Sequence, residues 1–89
     1  MIMNMKECQI KSVEAVNAMD EKMKAKHDVD TTFVHLVEEV GELSRIIYNK
    51  KTKRFNNTKK ELEEEFADTV ALLMHLAALH DVDMEKSFV

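Results

Sequence analysis

Glu39 and Glu42, and again Glu65 and Asp68, stand three residues apart in stretches whose apolar spacing reads as helix. An i, i+3 step turns two side chains to one face, so each pair offers two carboxylates in one direction. One such pair is ordinary on a solvated helix. Two pairs on consecutive helices, each beside an apolar stripe, point further: where a short connection folds the helices antiparallel, four carboxylates meet. Four anions at a half-buried place repel one another or take up protons unless a cation joins them. The donors are oxygens only, which suits a hard divalent ion, Mg2+ or Mn2+, and disfavours a closed zinc site. A carboxylate-bridged di-iron bundle needs Glu-x-x-His pairs. The residues three before His35, His75 and His80 are instead Thr32, Leu72 and Ala77, so the expected chemistry is hydrolytic, on phosphate.

The elements that must position these acids follow from the apolar periodicity. Ile10, Val13, Val16, Met19 and Met23 recur at three- and four-residue steps and predict a first helix from Lys6 to about Lys26. "HDVDTT" supplies Asp and Thr for an N-cap, and a second helix is expected from about Thr32 to Lys50 with Phe33, Leu36, Val37, Val40, Leu43 and Ile47 inward. Gly41 lies inside it, where a glycine costs roughly 1 kcal/mol against alanine; admission of a close neighbour is its expected use, the alternative being simple tolerance. Thr58 and Glu61 have capping-box spacing and open a third helix running to about His80. His80 or Asp81 must end it without glycine, and Asp83 caps one last turn in "DMEKSF".

In "FADTVALLMHLAAL" eleven of fourteen residues are apolar and cover every side of the third helix. A helix apolar all round must be covered all round. Two other helices of an 89-residue chain are too few for that, so the expected fold is all-α, one domain over residues 1–89, joined with a partner chain into an oligomeric helical bundle, the alternative being a tight monomeric three-helix bundle.

The single glycine and the lack of proline agree with helix throughout. Charge is sorted by segment: Lys50 to Lys60 carries six basic residues and no acid, leaving −10 elsewhere on a chain whose total is −4. That acidic remainder makes nucleic acid an improbable partner. Cys8 is alone and forms no internal disulfide, "MIMNM" lacks the flank and apolar length of a signal peptide, and no run approaches the roughly 18 apolar residues of a membrane span. The expected location is the cytoplasm.

"EEVGE", Glu38 to Glu42, followed by "EFAD", Glu65 to Asp68, resembles the EExxE and ExxD pattern of the MazG-like all-α nucleoside triphosphate pyrophosphohydrolases. The likeness runs through "HLVEEVGELSRII" and "ELEEEFADTVALLMHLAALHDVDMEKSF". It implies Mg2+ on Glu39, Glu42, Glu65 and Asp68, the four acids that helical projection brings together, with Mn2+ as a substitute. It also implies cleavage of a nucleoside triphosphate between its α and β phosphates, giving a monophosphate and pyrophosphate, by a homodimer or homotetramer. Glu38 is the candidate water-activating base or second-metal ligand, its alternative being a surface partner for Arg45. Arg54 and Lys59, of the basic segment, are candidates to meet the triphosphate. His75 is a candidate contact to base or sugar, its alternative being a hydrogen-bonded core residue. Two competing functions stand beside this one: phosphoribosyl-ATP pyrophosphohydrolase, and a non-catalytic helical dimer or regulatory module whose acids form surface ion pairs.

Overall fold

The computed structural model describes residues 2–52 and 58–89. Among the described residues there are four helices and no strand: α1, Met5–Met23; α2, Val29–Thr52; α3, Lys59–Leu79; and α4, Met84–Ser87. None of them is long and apolar enough to cross a membrane.

Local chemistry explains where each helix begins and ends. Asn4 accepts from the Glu7 amide at 2.8 Å and starts α1, which closes at Lys24 in the left-handed region. Asp28 and Thr31 bond reciprocally, each side chain accepting from the other's backbone amide at 2.9 Å. That pairing starts α2 at Val29, three residues before the start expected from apolar spacing. Thr58 and Glu61 form the anticipated capping box on α3. At the end of α3, Asp81 takes φ 57°, the conformation that glycine usually supplies. The Val82 amide then donates back to the Ala77 carbonyl at 2.9 Å. Asp83 caps α4, accepting from the Lys86 amide at 3.1 Å.

Helix α3 is the shared partner, packed by α1 and by α2, while α1 also meets α4. Gln9 fastens the last of these contacts. Its amide nitrogen donates to the carbonyls of Met74 and Val82 at 3.1 and 2.9 Å, and its oxygen accepts from the Met84 amide at 3.0 Å.

The packing faces differ from those expected. On α1 the buried positions are Gln9, Ser12, Val16 and Asp20, whereas Ile10, Met19 and Met23 are exposed. On α2, Thr32, Ile46 and Asn49 are buried, and Phe33, Val37, Val40 and Ile47, expected inward, are each about half exposed. On α3, Leu72, Met74 and His75 are buried while Phe66, Val70 and Leu73 are not. The cause is that α2 turns its acid-bearing flank to α3, and a helix cannot bury two opposite faces against one neighbour. Gly41 is exposed, and a methyl group added there would meet nothing within 4 Å. The close neighbour expected at Gly41 is not found among the described residues.

Candidate metal centre

The antiparallel pairing of α2 and α3 brings the two acidic motifs together. Oxygens of Glu39, Glu65 and Asp68 all lie within 4.8 Å of one another. Glu65 Oε1 is buried and has no hydrogen-bond partner. The Glu65 carboxyl is pushed up to about 7, first by the hydrogen bond it shares with Glu39, then by burial, then by the charges of Glu39, Asp68 and Glu42. These are the properties of acids too close to ionise together without a counter-charge. An orphaned carboxylate oxygen, a displaced pKa and an all-oxygen donor set fit a hard divalent cation. A proton held on Glu65 relieves the same crowding.

The fourth expected ligand, Glu42, is set slightly apart. It accepts from the Arg45 guanidinium one turn along α2, so Arg45 takes Glu42 as its ion partner rather than Glu38. Glu42 nevertheless lines the same cleft as Glu65 and Asp68, an acidic hollow of about 500 Å3 between the end of α2 and the start of α3. Asp68 also borders a second, smaller cleft of about 240 Å3, whose walls are Ala15, Val16 and Met19 of α1 with Ala71 and Leu72 of α3. Glu39 faces this apolar cleft. The acids thus stand at the junction of a polar hollow and an apolar one.

The remaining candidates fall in other places. Glu38 is exposed and lines a separate open cleft with His27, His35 and Asp30. Lys59 is exposed at the first residue of α3, and Arg54 lies outside the described residues. His75 is 3 % exposed, and neither ring nitrogen has a partner. It stands in the core, the alternative to the expected substrate contact, but without the hydrogen bond of that alternative. Burial lowers its pKa, as does the charge of His27, against an opposing pull from Asp20.

One feature was only in part visible in the sequence. His27, in the connection before α2, and His35 join the acidic cluster to α1. Asp20 Oδ2 accepts from the His27 backbone amide at 2.7 Å, and Asp20 Oδ1 meets His27 Nδ1 at 2.5 Å. His27 Nε2 meets His35 Nδ1 at 3.0 Å, and His35 Nε2 meets Glu39 Oε1 at 3.2 Å. Burial works to raise the Asp20 pKa, but the two hydrogen bonds from His27, with the charges of His27 and His75, outweigh it and hold the carboxyl below its ordinary range. Asp20 is therefore the acceptor that fixes the His27 proton on Nδ1. His27 Nε2 is then left to accept from His35 Nδ1–H. Three contacts need three protons, and two neutral imidazoles carry two between them. The i, i+4 step from His35 to Glu39 was visible as a spacing; the approach of Asp20 is tertiary and was not.

No curated protein and no solved structure gives a significant match to the chain. A family model, described as the MazG nucleotide pyrophosphohydrolase domain, matches residues 27–89, which takes in all the acids of the cluster and leaves Asp20 and the rest of α1 outside.

Proposed function

The chain belongs to the MazG nucleotide pyrophosphohydrolase family, and from that premise we propose that it hydrolyses nucleoside triphosphates to the monophosphate and pyrophosphate with a divalent cation, Mg2+, for which Mn2+ substitutes. Removal of unwanted triphosphates from the nucleotide pool is the role that fits such an activity. The observation that carries the reading is the convergence of Glu39, Glu65 and Asp68 around an orphaned Glu65 oxygen.

Glu39, Glu65 and Asp68 would hold the cation, with Glu42 joining from the same cleft by releasing Arg45. When bound, such an ion neutralises phosphate oxygens and lowers the pKa of an attacking water. The five carboxylates that border the polar hollow admit a polyphosphate only together with cations. The apolar cleft on the other side of Asp68 is the place for the nucleoside half, beside the His27 and His35 rings. Lys59 and Arg54 are the proposed cations for phosphate charge left uncovered. Glu38 is the proposed water-activating base; Glu38→Gln then lowers turnover with cation affinity kept, and unchanged turnover would return it to the surface. His75, shut away from both clefts, is assigned no contact with substrate.

The exposed apolar residues of α2 and α3 favour a homodimer as the working form. At about 100° per residue, Phe33, Val37, Val40 and Ile47 of α2 and Phe66, Val70 and Leu73 of α3 lie on the side of the α2–α3 pair away from α1. A second copy seated there would complete a four-helix bundle, and two such dimers a tetramer.

The test is pyrophosphate release from a panel of nucleoside triphosphates and phosphoribosyl-ATP, with Mg2+ or with chelator, for the wild type and Glu65→Gln. Cation-dependent release lost in the variant is the expected result. Release confined to phosphoribosyl-ATP would replace the proposed substrate class. No release from any substrate, with Mg2+ leaving the melting temperature unchanged, would leave a non-catalytic helical dimer.

A further inference from the structure

We propose that Asp20, His27 and His35 form an arm that positions the Glu39 carboxylate, so that α1 sets the geometry of the cation site from outside the stretch that matches the family. The inference rests on the reading of Glu39, Glu65 and Asp68 as that site.

The arm is continuous from a buried carboxylate to a cluster oxygen. Both oxygens of Asp20 are engaged by His27, one by its backbone and one by its ring. Each imidazole spends both nitrogens on the arm, so neither can turn without breaking two contacts. The rings lie 5.2 Å apart between centroids and 24° from parallel. His75, close enough to feel the charges of Asp20 and His27, has no partner at either nitrogen. Connection of this kind is thus particular to His27 and His35 and not a general state of buried imidazoles here.

Glu39 is the cluster acid that most needs a hold. It shares a hydrogen bond with Glu65 on one side, and the negative charge of Asp68 stands within the same 4.8 Å group. A helix-local His35 could swing away with Glu39. A His35 tied through His27 to another helix cannot, and it presents Glu39 at a fixed place before any cation arrives. Outer partners that orient a metal ligand typically carry about 10- to 100-fold of the affinity.

The experiment measures Mn2+ affinity of the full chain by electron paramagnetic resonance of the free ion, together with the cation-free melting temperature. His35→Asn puts a donor near the Nδ1 position, keeping the link to His27 but falling short of Glu39. His35→Gln puts a donor near the Nε2 position, within reach of Glu39 but released from His27. Asp20→Asn removes the anchoring charge two contacts away. The expected result is a loss of about tenfold or more in His35→Asn, a smaller loss in His35→Gln and a loss of severalfold in Asp20→Asn. Gln9→Ala, which loosens α1 at its other end, controls for mere packing and should lower the melting temperature with affinity kept. Affinities within twofold of wild type in both His35→Asn and Asp20→Asn would overturn the arm. So would an equal loss in Gln9→Ala, since α1 would then act only as a prop. A wild type that binds no Mn2+ would instead overturn the cation site itself, and the arm with it.

Discussion

Glu65 makes the stability of the cation-free chain depend on pH in a direction opposite to that of an ordinary paired acid. Its folded pKa of about 7 lies above the ordinary value of 4.5, so between those values the folded chain holds a proton that the unfolded chain has released. This contribution is complete below about 4.5 and is lost as pH rises toward 7. His75 works the other way: its pKa is lowered by burial, so its contribution falls as pH drops below the ordinary value of 6.5. Comparison with Glu65→Gln isolates the first effect. Denaturant unfolding at a series of pH values without cation should show the advantage of the variant growing from pH 5 to 7. Saturating Mg2+ should cancel the wild-type decline, since the ion takes the place of the proton. Both acidic pairs were legible because an i, i+3 spacing carries its geometry within one helix. The preference of Glu42 for Arg45 was not, because two local partners compete for it and spacing alone does not rank them. Nor could spacing find Asp20, whose partner is seven residues away across a helix end.

At the scale of the helix, the Thr58–Glu61 box and the Asp83 cap were readable because each depends on residues within four positions of one another, whereas the Asn4 cap and the early start of α2 were not read. Thr58→Ala removes the side-chain acceptor for the Glu61 amide and should cost about 1 kcal/mol, read as a lower melting temperature. Gly41→Ala should do the reverse. The added methyl meets no other group of this chain, so the change should stabilise α2 by about 0.5–1 kcal/mol in thermal unfolding. A loss of stability would mean that a second copy packs against Gly41. The apolar stripes were found as stripes, but this chain leaves much of each open to solvent. Periodicity says which side of a helix avoids water; it is silent on whether the same chain supplies the cover. On α2 the acids won the contact with α3, and Val37 and Val40 were left half exposed.

At the scale of the molecule, the buried apolar side chains among the described residues are Val16, Ile46, Leu72 and Met74, against a longer series left open on α2 and α3. Apolar surface of that extent supports the homodimer proposed above. Light scattering behind size exclusion should give at least twice the 10.3 kDa chain mass. Val70→Glu should reduce it to one chain mass and lower stability; an unchanged mass would remove the apolar side as the interface. The order in which the parts assemble follows from the Gln9 contacts. Helices α2 and α3 are neighbours in sequence and can pair once both have been synthesised. The Gln9 side chain instead waits for Met74, Val82 and Met84, 65 to 75 residues downstream. During translation, the Gln9 end of α1 therefore stays unfastened until Val82 and Met84, beyond α3, have been made.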